Sequence, residues 1–545
     1  MNTITCLVLL IALLALAVPS LGADPAPPRM VWASTMHCFI LGAMPPSYPL
    51  RTGVEDFANW PGDEGAEVER YFGGDSGGGK RVGYRLWWSA RLAPLQRGGL
   101  AAVRMDLDMA QAAGLDALGV LINQSHLPDS QFVPTYRLLA QAASTHRVKI
   151  IPDLWLTTSD TKEGLARFGR ELKALMDECP DGWLKYQGKP VISVQPFEYG
   201  RKVNTARKTG FIEWEAGQAL YDAWGGPQAV YKLLSATYSP DITDLEGGWG
   251  AQGADTLSKW TASAGWNDPE QLDLVAAARK YGKPLCWPIN CTYYGTGPNR
   301  PGYADAAEDL GITRMSEQWR RAISLGAAWA TVQTWNDFSE DHAITETNYR
   351  GRTQIELTRY YADWYRTGRA PAIAREKIYL FHHRQLLHAT LPPGTIRAHN
   401  DQYHPCPNTD YLQVVTLLNK PARVRLRVGE AVWETAAPAG WHEWLVCVPS
   451  ERKEMGPLRE AWNHGAESYP ASTDWRTVTV ATTIPAGRPR AAVVREGAVV
   501  GSVVSRTDLA GEGQWQDLCM VGTEGEVGGS EARELRSSGA PLVGG

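Results

Sequence analysis

Residues 315–342 read MSEQWRRAISLGAAWATVQTWNDFSEDH. The stretch divides into three parts. Met315–Leu325 has helical patterning and is stopped by Gly326, a residue free to take the left-handed conformation that ends a helix. Ala327–Val332 is a short apolar run, the mark of a strand buried on both faces. The polar turn Thr334–His342 follows, carrying two carboxylates, Asp337 and Glu340, three residues apart. Helix, buried strand and functional turn in that order make up one unit of a parallel α/β sheet.

The same unit recurs outward along the chain. Short apolar runs alternate with amphipathic segments from residue 30 to about residue 370, and strands are predicted at Met30–Ile40, Ala117–Asn123, Val148–Leu156, Pro190–Phe197, Asp244–Trp249, Pro284–Tyr293 and Trp329–Phe338. One further, weakly marked strand is expected between Gly210 and Ala236. Helices are predicted at Arg104–Ala113, Lys162–Glu178 and Asp268–Tyr281, the first and last again stopped by glycine. Eight strands favour a (β/α)8 TIM barrel. The alternative, an open doubly wound sheet, is marked by a Gly-rich phosphate loop after its first strand, and none is present there. The long Gly-, Trp- and Tyr-rich stretch from Pro45 to Leu92 is a functional loop over the C-terminal face or a lineage-specific decoration.

After Arg369 the pattern changes to alternating runs such as Leu412–Leu418, Ala422–Val428, Thr477–Thr483 and Arg490–Val494, separated by turn residues. That is an all-β sandwich pattern. The expected organisation is a signal peptide at 1–23, a catalytic barrel at 24–372, a β-sandwich accessory domain at 373–522 and a disordered Gly/Ser/Glu-rich tail at 523–545. The apolar run Leu7–Val18, followed by small residues at Ser20, Gly22 and Ala23, reads as a cleaved secretory signal and places the mature chain outside the cytoplasm, secreted or periplasmic. An uncleaved anchor fits less well, because the run falls short of the roughly 20 residues that cross a bilayer. No later segment reads as a membrane span.

Composition narrows the partners. A net charge of −5 and a sequence pI near 6.2, with no Lys/Arg block, give no footprint for nucleic acid or a membrane surface. Seven of the eight cysteines follow the signal, an odd and widely spaced set that argues against a disulfide scaffold. No Cys/His spacing matches a zinc site, so no metal and no cofactor is expected. Cys286 and Cys291 are the closest pair, either bridged or simply packed. The 22 Trp and 21 Tyr, against 9 Phe, fit a saccharide cleft, since sugars present flat C–H faces to aromatic rings; they equally fit a large core.

Barrel enzymes place their chemistry where strands exit at the C-terminal face, which singles out Asp153, Glu198, Glu246, Asp337 and Glu340. Cleavage of a glycosidic bond needs one protonated carboxyl to donate to the leaving oxygen and one ionised carboxylate to activate water or attack the sugar. Asp337 and Glu340 converge at one turn, and mutual repulsion with burial against Trp335 and Phe338 is a means of keeping one of them protonated. The same spacing also reads as an Asp N-cap with Glu three positions on, an ordinary capping pattern. Trp155, Trp249, Trp287 and Tyr293 sit at strand ends as stacking platforms or packed rings, and Trp335 and Asn336 flank the pair. His37 and His342 hold a hydroxyl, tune the acid, or are packed histidines. Asn123 and Asn290 begin Asn-x-Ser/Thr sequons, but both lie at strand ends facing the cleft, where modification is not expected.

Thr334–His342 resembles the W-N-D-Y-G-E-S-H segment of glycoside hydrolase family 71, the α-1,3-glucanases or mutanases, and more distantly the Trp-Asn-Glu-x-x-Glu turn of the endomannosidase-type family 99. Ala33–Ile40, Ala113–Leu118, Lys149–Asp153, Tyr186–Val191 and Lys283-Pro284 agree with that family in the same order along the chain, and Val414–Val504 is similar to its β-sandwich. The resemblance implies an inverting hydrolase of α-linked polysaccharide, α-1,3-glucan first, with Asp337 as the base that activates water and Glu340 as the acid. The family counterpart of Asp153 is also an Asp, which implies that Asp153 binds sugar hydroxyls, although a helix-capping or salt-bridged Asp fits the sequence equally. By their places at strand ends and beside the pair, Glu198, Glu246, Trp249, Trp287, Tyr293, Trp335, Asn336, His342 and His37 are the further candidates for substrate contact, in a chain expected to be a monomer with no nucleic-acid partner. The chain departs from the motif at Phe338, where the family has Tyr, at Ser339, where it has Gly, and at Asp341, an added charge beside the acid. Two competing readings are a non-catalytic carbohydrate-binding protein on a decayed barrel and a hydrolase of another α-glucan or α-mannan. A metal-dependent deacetylase or esterase lacks both its His-Asp-His cluster and its Gly-x-Ser-x-Gly elbow.

Overall fold

The computed structural model describes residues 28–45, 88–157, 161–197, 217–236, 253–259, 269–290, 292–295, 304–307, 310–338, 341–391, 398–400, 409–448, 473–512 and 519–528. The expected signal segment 1–23 and most of the stretch from Pro45 to Leu92 lie outside these residues.

Eight parallel strands form the core of the first domain: β1 (Met30–Thr35), β2 (Ala117–Asn123), β3 (Lys149–Thr157), β4 (Lys189–Phe197), β5 (Tyr231–Ala236), β6 (Thr256–Lys259), β7 (Cys286–Asn290) and β8 (Trp329–Gln333). They pair in the order β6-β5-β4-β3-β2-β1-β8-β7. A parallel bridge between Leu257 and Leu285, with Leu257 N donating to Pro284 O at 3.0 Å, joins β6 to β7 and closes the ring. The fold is therefore the expected (β/α)8 barrel. Around it stand α1 (Leu100–Ala112), α2 (Val133–Ser144), α3 (Lys162–Glu178), α4 (Pro269–Lys280), α5 (Thr313–Leu325) and α6 (Thr353–Thr367). Gly326 closes α5 at φ +63°, as the sequence predicts. The weakly marked fifth strand proves to be Tyr231–Ala236, but the sixth is Thr256–Lys259 and not Asp244–Trp249, which lies outside the described residues. Four residues with polar Thr256 and Ser258 facing inward give too little apolar signal to be found from the sequence.

Alternation of side chains along each strand fills the barrel in layers. The layer at the N-terminal ends of the strands is apolar: Trp32, Ala117, Ile151, Val191, Tyr231, Leu233, Cys286 and Trp329 form one buried cluster, into which Tyr186 also packs. Trp32 fits because Gly119 faces it; a Cβ on Gly119 would come within 2.3 Å of the indole. Toward the C-terminal ends the inward positions become polar, with Ser34, Asp153, Ser193, Gln195, Thr331 and Gln333 all buried.

The second domain is a sandwich of β9 (Lys377–His383), β10 (Tyr411–Leu418), β11 (Ala422–Val428), β12 (Ala431–Ala437), β13 (Gly440–Cys447), β14 (Arg476–Val480), β15 (Arg490–Arg495), β16 (Ala498–Val504) and β17 (Met520–Glu526). One sheet runs β14-β13-β10-β9-β17 and the other β12-β11-β15-β16, with a common core that includes Leu380, Val414, Leu426, Trp444 and Val493. The outer face of the five-stranded sheet lies on α5 and α6. Trp441 stacks on Tyr360 with centroids 4.8 Å apart, Gln413 accepts from Ile312 N at 2.8 Å, and buried Arg476 pairs with Glu443 and Glu317. The tail expected from Thr523 is corrected at its start, since Thr523–Glu526 completes β17, held by a full antiparallel ladder to β9; residues 529–545 lie outside the described residues.

Candidate active site

The turn after β8 is held by its own residues and by three separate parts of the chain. Within the turn, Thr334 N donates to His342 O (3.2 Å) and His342 N to Asp337 O (3.0 Å), while Asp337 N donates to Thr334 Oγ1 at 2.8 Å. Thr334, free to bond backbone through its hydroxyl, thus fixes the main chain on which Asp337 is carried. Asp337 is 2 % exposed and follows directly from the strand exit. Glu340, its expected partner, lies outside the described residues, as do Glu198, Glu246 and Trp249. In the chain, Glu246 and Trp249 fall between β5 and β6, which begins at Thr256. Tyr293 is in a short strand, Tyr293–Gly295, whose side chains fall outside the description.

Trp335 and Asn336 hold the turn to the rest of the barrel. Trp335 N donates to Ser34 O (2.7 Å), and the fully buried indole donates from Nε1 to Asp106 Oδ1 at 2.9 Å. Asn336 Oδ1 accepts from Met36 N (2.8 Å), and its Nδ2 donates to Met36 O (3.3 Å) and Phe39 O (2.8 Å). Both ends of that amide are committed to the loop after β1. The expectation that these two residues contact substrate is therefore corrected: they are buried, and their polar atoms are used inside the protein. Phe338 packs on Phe39 and Trp88, with centroids at 5.6 and 5.0 Å, an apolar setting that suits Phe over the motif Tyr.

Asp106 and Asp153 are the buried carboxyls beneath the turn. Asp106, on α1, also accepts from Leu41 N at 3.3 Å, and burial pushes its carboxyl up to about 7 against the pull of those hydrogen bonds. Asp153, on β3, accepts from Ser34 Oγ (3.0 Å) and Gln195 Nε2 (2.7 Å), and burial pushes it up to about 6. It lies within the barrel below the mouth, fully buried. Trp155, two residues on and half-buried, occupies the next inward layer.

The expectations for Trp287 and His342 change as well, whereas that for His37 stands. Trp287 is fully buried in the cluster between strands and helices, with the Arg321 guanidinium 6.0 Å from its ring, so it offers no face to a sugar. Its inward neighbour on β7 is Cys286, a free thiol that burial pushes up to about 12. His342 is buried near Arg314 and Arg350; burial first, then those two charges, lower its pKa to about 3, so it is a neutral packed histidine. His37 is half-buried, 4.4 Å from the His126 ring and 4.2 Å from Phe132, and burial followed by His126 holds its pKa well below the usual value. It is a neutral donor and acceptor at the end of β1. Of the two sequons, Asn290 is fully buried, whereas Asn123 is half-buried and caps the short 3-10 turn Gln124–His126.

Asp106, Ser34, Gln195 and Arg350 were not singled out by the sequence. Asp106 carried a usable signal, because it interrupts the buried helical stripe Val103–Asp106–Leu107–Ala110, where a carboxylate needs a reason. Among the described residues no group of three or more His, Cys, Asp or Glu is gathered as a metal-ligand set, and no helix is long and apolar enough to cross a membrane.

No protein-family model matches the chain, and no curated protein matches it. Among solved structures it is similar to the GH99 endo-alpha-mannosidase from Bacteroides thetaiotaomicron, at 12 % identity over 63 % of this chain and 98 % of that one, with a TM-score of 0.42. It is also similar to the beta-glucuronidase of Parabacteroides merdae (6 % identity, 80 % and 57 % covered, TM-score 0.34). A third is the endocellulase from Pyrococcus horikoshii (8 % identity, 48 % and 85 % covered, TM-score 0.30). Each of these three is a glycoside hydrolase, but likeness at these identities and scores assigns this chain neither family nor substrate.

Proposed function

We propose that this chain is a secreted or periplasmic glycoside hydrolase that cleaves an α-linked polysaccharide, α-1,3-glucan first, by inversion at a carboxyl pair formed by Asp337 and Glu340. The observation that carries the reading is the fixed main chain of Asp337. The segment resembling the family 71 motif is the exit turn of β8, and its other polar groups, Thr334, Trp335 and Asn336, are spent on holding that turn. Asp337 would activate water as base and Glu340 would protonate the leaving oxygen. Asp153, Glu198, Glu246, Trp249, Tyr293 and His37 remain the candidates for contacts to the sugar.

The test incubates the protein and its Asp337→Asn and Glu340→Gln variants with α-1,3-glucan, other α-glucans and α-mannan, measuring reducing ends and, by proton NMR, the first anomer formed. Activity on α-1,3-glucan that gives the inverted anomer and is lost in both variants is the expected result. Equal release by all three proteins would remove the site assignment. Binding without release by the native protein would favour a carbohydrate-binding role, and release from mannan alone would move the substrate.

A further inference from the structure

The turn bearing Asp337 is also gripped from the far end of the chain. Asp341 closes the turn at φ +54°, a left-handed backbone uncommon for non-glycine residues, though Asp takes it more readily than most. Its carboxylate is 3 % exposed and forms an ion pair with Arg350, which is itself fully buried. Asp341 Oδ2 accepts from the backbone N of Met520, the first residue of β17, at 3.2 Å. Arg350 answers from the other side. Its Nε donates to Met520 O (3.3 Å), its Nη2 to Asp341 O (2.9 Å) and its Nη1 to Ala343 O (2.9 Å) and Gln354 Oε1 (3.1 Å).

Two residues on, Gly522 N donates to Tyr349 O at 3.0 Å. β17 runs so close to the start of α6 that a Cβ on Gly522 would lie 2.7 Å from Thr353 Oγ1. Both the amide and the carbonyl of Met520 are thus used on the barrel. A buried, fully bonded pair of this kind is costly to assemble and severe to break from one side, since the remaining charge is left in a dry interior. Its two ends are a residue of the β8 turn and a strand of the sandwich, so any shift of β17 is passed to the main chain adjoining Glu340.

We propose that Asp341, Arg350 and the Met520 backbone are positioning residues for the Asp337/Glu340 pair, and that the sandwich is thereby a working part of the active site and not a separable appendage. The inference rests on the function proposed above. Asp341 departs from the motif of the resembled family, and in this chain the added charge is the point at which the second domain takes hold.

The test uses the full-length protein and Met520→Pro, which removes the N–H that Asp341 accepts together with a buried side chain and keeps both charged partners; proline is tolerated at the first residue of a strand. Arg350→Lys is the second variant. It keeps the charge opposite Asp341 but loses the forked donors, and it covers the case in which the proline variant does not fold. On α-1,3-glucan we expect kcat to fall roughly 10- to 100-fold with KM within about twofold, the signature of misplaced chemistry and not of lost substrate binding. Hydrogen–deuterium exchange should quicken at residues 341–350 and stay unchanged in β3. A kcat within twofold of native in both folded variants, or exchange at residues 341–350 that does not quicken in either, would overturn the proposal. Should the native protein release no sugar from any polysaccharide, the function falls by itself; the brace is then judged on exchange, and unchanged protection at 341–350 in either folded variant overturns it.

Discussion

The two ends of the barrel interior are built on opposite rules. At the N-terminal end Trp32, Ile151, Tyr231 and Trp329 fill the ring with apolar volume, and Tyr231 stacks on Trp329 at 5.7 Å. Toward the C-terminal end the equivalent inward positions are Ser34, Asp153, Ser193, Gln195 and Thr331, equally buried but polar. An apolar layer gains free energy with each carbon removed from water, whereas a polar layer only recovers in hydrogen bonds what it loses in hydration. One end therefore supplies stability, and the other accepts a poorer return in order to hold oriented groups below the mouth.

The sharpest way to break that contrast is at its extremes. Asp337→Asn should lower kcat on the cleaved polysaccharide by about 10²–10⁴ while the thermal midpoint moves little, as initial rates and calorimetry would show. Trp32→Ala should do the reverse. The cavity left against Gly119 costs about 3–5 kcal/mol of stability by denaturant titration, and kcat per folded molecule stays near native. If Trp32→Ala altered kcat as strongly as stability, the two layers would not be separable.

Asp153 offers a smaller and pH-dependent effect. Burial raises its carboxyl from the ordinary range near 4 to about 6, so the folded protein holds that proton more tightly than the unfolded chain. The associated stability is fully present below the unfolded value and is lost as pH rises through about 6. His126 and His342, whose pKa values are lowered to about 4 and about 3, act in the opposite direction as pH falls, so whole-protein stability mixes the two effects. The difference between native protein and Asp153→Asn isolates one group. Asparagine should be the less stable at pH 4.5 and should gain on native by on the order of 1–3 kcal/mol by pH 8. A difference that does not change with pH would mean that Asp153 is ionised throughout. The smallest effect belongs to Trp287→Phe, outside the ring: about 1 kcal/mol of stability and no change in KM, since the ring faces α5 and not the mouth.

The barrel was legible because most of its strands carry apolar residues on both faces over their first half and because α1, α4, α5 and α6 stop at or next to a glycine. That same property hid which way each strand residue points. In a parallel strand covered on both sides, Cys286 and Trp287 carry equal hydrophobic signal, and only the register to β8 shows that the thiol faces inward. Asp337 was readable from its turn. Asn336 and Trp335 were readable as neighbours but not as anchors, because their partners Met36, Phe39 and Asp106 lie 229 or more residues away in the chain. The hold on Asp341 was still further from view, since one of its three parties is a backbone amide 179 residues downstream.

Among the described residues the ring of strands closes through the bridge of Leu257 to Leu285, a shorter pairing than any other between neighbouring barrel strands. The residue next to Leu285 is Cys286, a thiol sealed inside and held in its unreactive protonated form. The protein thus carries its own breathing gauge: the rate at which an alkylating reagent marks Cys286, mapped by mass spectrometry against the half-buried Cys179, measures how often the joint opens.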